Sequence, residues 1–120
     1  MAEKADKVRP AVFFVTATGR EPVRDWLKDL PEEDRKAIGG DIRALELGEP
    51  LALPLVKGFG DGLWEVRVRL SSRRIARVFF MLEGSEMVLL HGFIKKSQKT
   101  PDKEVKRARQ RKRDWEKENE

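Results

Sequence analysis

The chain has 120 residues, 39% of them apolar and 39% charged, with no cysteine, one histidine and a net charge of +5. That length suits a single domain, 1–120, and the missing cysteine excludes disulfides, thiol catalysis and thiolate metal sites. A lone histidine argues against a histidine-built metal centre, so neither a metal nor a cofactor is expected.

The charge is unevenly placed. Residues 1–56 carry 9 basic and 11 acidic groups, residues 57–113 carry 16 and 6, and residues 114–120 carry 1 and 4. A net +10 concentrated in one contiguous half favours a polyanionic partner: RNA, DNA or an acidic protein. No apolar run nears the roughly 20 residues that span a bilayer, and the mixed-charge N-terminus lacks the apolar centre of a signal peptide. A cytoplasmic protein with no membrane contact is expected.

Residues 1–8 and 114–120 read as flexible ends. Val12-Phe13-Phe14-Val15 is a short β-branched and aromatic run, a buried strand ended by Thr18-Gly19. Pro22 then suits a first helical turn, and Val23, Trp26, Leu27 and Leu30 fall on one helical face. Pro31 stops that helix and opens a second, with Glu32, Glu33 and Asp34 in its first turn. Gly39-Gly40 inside it predicts a bend or a close neighbour. Gly48 and Pro50 end it, and residues 49–62 read as a connection finished by a glycine-rich turn, Lys57 to Gly62.

Strict alternation follows. Trp64, Val66, Val68 and Leu70 face one way, and Glu65, Arg67 and Arg69 the other, which predicts a strand with one buried and one wet face. Ser71-Ser72-Arg73 is a turn, 74–82 a return strand, and Met87 to Phe93 a third strand. Thr100 then reads as the N-cap and Pro101 as the first residue of a basic helix with a thin apolar stripe, Val105, Ala108 and Trp115, which either docks along that narrow seam or frays beyond about residue 113. The order β, α, α, β, β, β, α predicts a small α+β domain: an antiparallel sheet, two N-terminal helices on one face, and a C-terminal basic helix.

The chemistry-bearing residues cluster late in the chain. Arg67 and Arg69 on the wet face, Arg74 at the start of the return strand, and His91, Lys95 and Lys96 at the end of the third strand can converge on one phosphate-binding patch. Paired carboxylates are missing among these strands, which argues against two-metal nuclease chemistry. Such a patch can still cleave RNA, because the substrate brings its own 2′-hydroxyl nucleophile. His91 reads either as an acid for the leaving oxygen or as a half-buried residue with a hydrogen-bond partner, and alternation places it with Met87 and Leu89. Glu65 reads as an ion-pair partner of Arg67 or Arg69, and Trp26 and Trp64 as core.

Leu63-Trp64-Glu65-Val66-Arg67-Val68, Arg74 to Phe80, and His91-Gly92-Phe93-Ile94-Lys95-Lys96-Ser97-Gln98-Lys99-Thr100-Pro101 with the basic helix after it resemble the phage-derived HigB-like toxins of the RelE/ParE superfamily. The likeness reaches back to Pro22-Val23-Arg24-Asp25-Trp26-Leu27 and covers roughly residues 10–112. It implies a curved antiparallel sheet and a ribosome-dependent endoribonuclease that cuts mRNA in the A site without a metal. It also implies a cognate helix-turn-helix antitoxin, with operator DNA bound only through that partner. Matched by motif, the roles of holding and cleaving mRNA fall on Arg67, Arg74, Lys95 and Lys96, with Lys99 and Lys57 added. The basic residues beside them extend this set: His91 joins the catalytic candidates, and Arg69, Arg73 and Arg107 join Lys57 and Lys99 as RNA-binding candidates. Some relatives use a tyrosine near the C-terminus for proton transfer, and this chain has none. Two other readings stand beside this one: a ParE-like inhibitor of DNA gyrase, and a non-catalytic nucleic-acid-binding module.

Overall fold

In a computed structural model, residues 7–48 and 56–119 are described. They form β1 (Ala11–Phe13), α1 (Pro22–Lys28), α2 (Glu32–Glu46), β2 (Val56–Gly60), β3 (Leu63–Arg69), a 3₁₀ turn (Ser71–Arg73), β4 (Ile75–Glu83), β5 (Glu86–Lys95) and α3 (Asp102–Glu118). The expected α+β domain is present as an open five-stranded sheet, in the order β1-β5-β4-β3-β2. The sheet is mixed rather than wholly antiparallel: β1 runs parallel to β5, with Ala11 beside Met87 and Phe13 beside Leu89. The other three pairings are antiparallel.

Both faces of the sheet are covered. Val66, Val68, Ala76, Val78 and Phe80 meet Val23 of α1 and Ile38, Ile42 and Leu45 of α2 in one apolar cluster. Trp26 and Trp64 pack on its edge, as their registers predict. Leu63, Phe79, Met81, Val88, Leu90 and Phe93 form a second cluster with Ala108, Val105 and Trp115 of α3. The face of β3 expected to be wet is therefore the docking surface of α3: Glu65 is fully buried and Arg67 half-buried, and only Arg69 is exposed. The helix meets this side of the sheet through Val105, Ala108 and Trp115, while Glu65 is satisfied by Arg67 and Thr100, a pairing that strand alternation alone cannot reveal.

Four other local readings change. Where a connection and turn were expected, residues 56–60 pair with β3 as an edge strand, and the turn narrows to Gly60, Asp61 and Gly62, all at positive φ. Gly39 and Gly40 lie exposed in an uninterrupted α2, and a Cβ on either would meet nothing within 4 Å, so no neighbour packs close there. In β5 the pairing jumps from Phe79–His91 to Phe80–Leu89, leaving Leu90 as the extra residue of a bulge. The bulge reverses the alternation, so His91 joins Leu90 and Phe93 on the α3 face, not Met87 and Leu89. Finally, Pro101 is the N-cap of α3, because the Thr100 hydroxyl is spent on Glu65. Of the two outcomes open to this helix, docking holds: its stripe packs in the second cluster and the helix continues to Glu118.

Candidate nucleic-acid interface

The face of the sheet under α3 carries a layer of buried charge. Arg67 Nε donates to Glu65 Oε1 at 2.8 Å, and the Thr100 hydroxyl donates to Glu65 Oε2 at 2.7 Å. The same hydroxyl accepts from Arg67 Nη2 at 3.5 Å, so carboxylate, guanidinium and hydroxyl form a closed triangle. Arg67 keeps one side toward solvent with a side-chain exposure of 24%, whereas Glu65 has none.

Arg77, the cross-strand neighbour of Arg67, is fully buried. Its Nη2 donates to the carbonyl of Gln98 at 2.9 Å and to that of Ser97, which fixes the loop between β5 and α3. The Phe93 ring lies 5.7 Å from the guanidinium carbon. Nε and Nη1 are buried without a partner among the described residues. Burial, and then the nearby Arg67 charge, pull the Arg77 pKa down, while Glu65 opposes them. A cation held short of partners is uncommon in a native interior.

Above this layer opens a cleft of about 540 Å³ lined by Lys57, Phe59, Arg67, Gln98, Lys99, Thr100, Asp102 and Val105. Three cations enter it from three segments: Lys57 from the edge strand β2, Arg67 from β3, and Lys99 from the loop that Arg77 holds. Lys57 Nζ rests 5.1 Å from the Phe59 ring centre. Arg109 Nη2 donates to the Phe59 carbonyl at 2.6 Å, tying β2 to α3. Oriented N–H donors at this density suit a phosphodiester group.

The other expected residues lie elsewhere. Arg74 turns to the opposite face, where it grips Asp34 of α2 with two bonds of 2.8 and 3.0 Å. That pairing, chiefly its hydrogen bonds, lowers the Asp34 pKa and raises that of Arg74. Arg74 is thus separated from Arg67 by the sheet. Lys95, half-buried at the end of β5, and the exposed Lys96, Arg69 and Arg73 do not line the cleft. His91 is enclosed beneath α3, with Nε2 2.9 Å from Glu104 Oε1 and Nδ1 3.2 Å from Arg111 Nη1. Burial is the main cause of its lowered pKa, and the hydrogen bond to Glu104 opposes it. Exposed Arg107 and half-buried Arg111 line a different cleft, between α3 and residues 14–17.

Of the residues singled out from the sequence, the cleft gathers Lys57, Arg67 and Lys99. Arg77, Gln98, Thr100 and Asp102 were missed as site residues. Arg77 did carry a signal: it is the one charge inside the apolar run Ile75 to Leu82. Asp102 carried none, since an acid in a first helical turn is ordinary.

Residues 25–113 match the family model described as phage-derived protein Gp49-like (DUF891). The match runs from α1 well into α3 and contains every residue that lines the cleft. No curated protein sequence matches the chain.

Proposed function

We propose that this chain, which belongs to the phage-derived Gp49-like family, is the toxin of a toxin–antitoxin module and cuts messenger RNA on the ribosome. Family membership supports the toxin. The observation that carries the reaction is the cleft that Lys57, Arg67 and Lys99 enter from three segments, the last on the loop that buried Arg77 holds.

RNA cleavage needs little from such a cleft. The 2′-hydroxyl attacks the adjacent phosphorus, the 5′ oxygen leaves, and a cyclic phosphate remains. Arg67, oriented by Glu65 and Thr100, and Lys99 neutralise the charge that builds on the phosphorane oxygens. A lysine ammonium, Lys57 or Lys99, supplies the proton that the leaving oxygen takes. The proton of the 2′-hydroxyl passes to solvent or to ribosomal RNA, because His91 is engaged outside the cleft. DNA lacks the attacking hydroxyl, so the chemistry selects RNA. The cognate antitoxin, a helix-turn-helix protein, neutralises the toxin by laying acidic side chains over these cations.

The test is brief induction of the chain followed by mapping of transcript 5′ ends, beside purified RNA incubated without ribosomes. Cuts within codons in cells, and none in the purified RNA, are expected. Removing preorganised donors typically costs about 100-fold or more in rate, so an Arg67→Ala, Lys99→Ala double variant should lose toxicity. Full toxicity of that folded variant overturns the reading. DNA damage with intact transcripts points instead to a gyrase inhibitor.

A further inference from the structure

We infer that the cleft is a seat for one whole nucleotide and that it reads guanine. The inference rests on the RNA-cutting function proposed above and adds to it a base preference. The cleft holds more than cations. Phe59 and Val105 face it from β2 and α3, and Arg109 fastens those two elements together. Phe59 is held edge-on against Phe79, with ring centres 5.5 Å apart. This wall suits a flat aromatic base, since side-chain rings and apolar edges are what unstacked bases rest against. Lys57 lies over the Phe59 ring in the free protein. An arriving base takes that place, and the ammonium moves to the phosphate.

Asp102 is the discordant group. Its carboxylate stands in a cationic cleft, three residues before Val105 on the same side of α3, and makes no hydrogen bond or ion pair among the described residues. It would repel a phosphate, so it faces another part of the nucleotide. On the Watson–Crick edge, guanine alone presents two adjacent donors, N1–H and N2–H, which match the two oxygens of a carboxylate. Adenine and cytosine offer one amino donor beside a ring nitrogen lone pair. Uracil offers one N–H between two carbonyls. With any of these three, the second carboxylate oxygen meets a lone pair. Gln98, also in the cleft, carries an amide N–H able to donate to guanine O6.

The full chain is titrated, by fluorescence anisotropy at one fixed salt concentration, with uncleavable 2′-O-methyl hexanucleotides. One is all uridine, and three carry a single central guanosine, adenosine or cytidine. The guanosine oligomer should bind about tenfold more tightly than the rest, the usual scale for a bidentate base contact. Asp102→Asn, an exposed substitution whose fold is checked by circular dichroism, should erase that margin, because an amide's one acceptor and one donor match the donor–acceptor pair that every base carries. Phe59→Ala should weaken the binding of the guanosine oligomer. Equal affinities, or a guanosine margin that survives Asp102→Asn, overturn the guanine seat and leave the phosphate grip standing. Failure of all four to bind overturns both.

Discussion

The two faces of the sheet are built to different rules. Toward α1 and α2, β3 and β4 present Val66, Val68, Ala76, Val78 and Phe80, and an ion pair here, Arg74 with Asp34, brings together the start of β4 and the first turn of α2. Toward α3, the same two strands bury Glu65 and Arg77, and β5 adds His91 against Glu104 and Arg111. Burying apolar area is what stabilises a small domain, at about 25 cal/mol per Å². Burying ionised groups costs stability unless every polar atom is paired. Glu65 meets that condition with two donors, and Arg77 does not. Both faces bury an apolar cluster, and the face under α3 also spends part of that stability to keep charge beside an open cleft.

The largest effect is expected where the first face admits no extra atom. Gly92 sits on β5 beneath Trp26 of α1, and a Cβ there would lie 2.9 Å from Cη2 of the indole and closer still to Cζ3 and Cε3. Gly92→Ala must push a rigid ring off the sheet. A loss of about 1–3 kcal/mol is expected, read as a lowered midpoint in urea unfolding with an unchanged slope. An unchanged midpoint would mean that this face is as adaptable as the other and would remove the contrast.

Arg77→Met probes the second face, and the expected stability change is smaller. The substitution gives up the bonds to the Ser97 and Gln98 carbonyls, and it also removes a buried charge with two unpartnered N–H groups. These terms oppose each other, and exchanging buried ions for apolar side chains of similar size is often neutral. The unfolding free energy should change by less than about 1 kcal/mol, while affinity for single-stranded RNA falls about tenfold as the loop carrying Lys99 is released. A stability loss matching that of Gly92→Ala, with RNA affinity intact, would make Arg77 an ordinary core residue.

The difference between the faces also decides what was legible in the sequence. The apolar face could be read directly: Trp64, Val66, Val68 and Leu70 at period two and Val23, Trp26, Leu27 and Leu30 at helical period all pack where their registers place them. The charged face could not, because three of its determinants are non-local. The Leu90 bulge exchanges the sides of β5, and no local composition marks it. Arg74 and Arg67 look equivalent in a list of basic strand residues, yet an aspartate 40 positions away claims one of them. Thr100 before Pro101 carries a sound capping signal, but Glu65, 35 residues earlier, outcompetes the helix for its hydroxyl. Strand β2 escaped notice because Val56-Lys57-Gly58-Phe59-Gly60 has a turn's composition and becomes a strand only through its pairing with β3.

The smallest expected effect isolates a single proton. His91 is enclosed by Phe79, Phe93, Glu104 and Arg111, with Arg107 close enough to act through its charge. Burial holds its folded pKa below the 6.5 of the free side chain, against the pull of Glu104. At higher pH the imidazole is neutral in both folded and unfolded chains and contributes no pH dependence. As the pH falls below about 6.5, the unfolded chain takes up the proton first, so stability declines until the folded pKa is passed. Replacing His91 with Gln keeps a neutral amide able to donate to Glu104 and removes the titration. Urea midpoints of the parent should therefore fall between about pH 7.5 and pH 5.5, while those of His91→Gln stay level, by a margin smaller than either preceding substitution produces. If instead the parent gained stability on acidification in that window, the Glu104 contact would outweigh burial. His91 would then count as a paired cation, and the charged layer under α3 would be better compensated than Arg77 alone suggests.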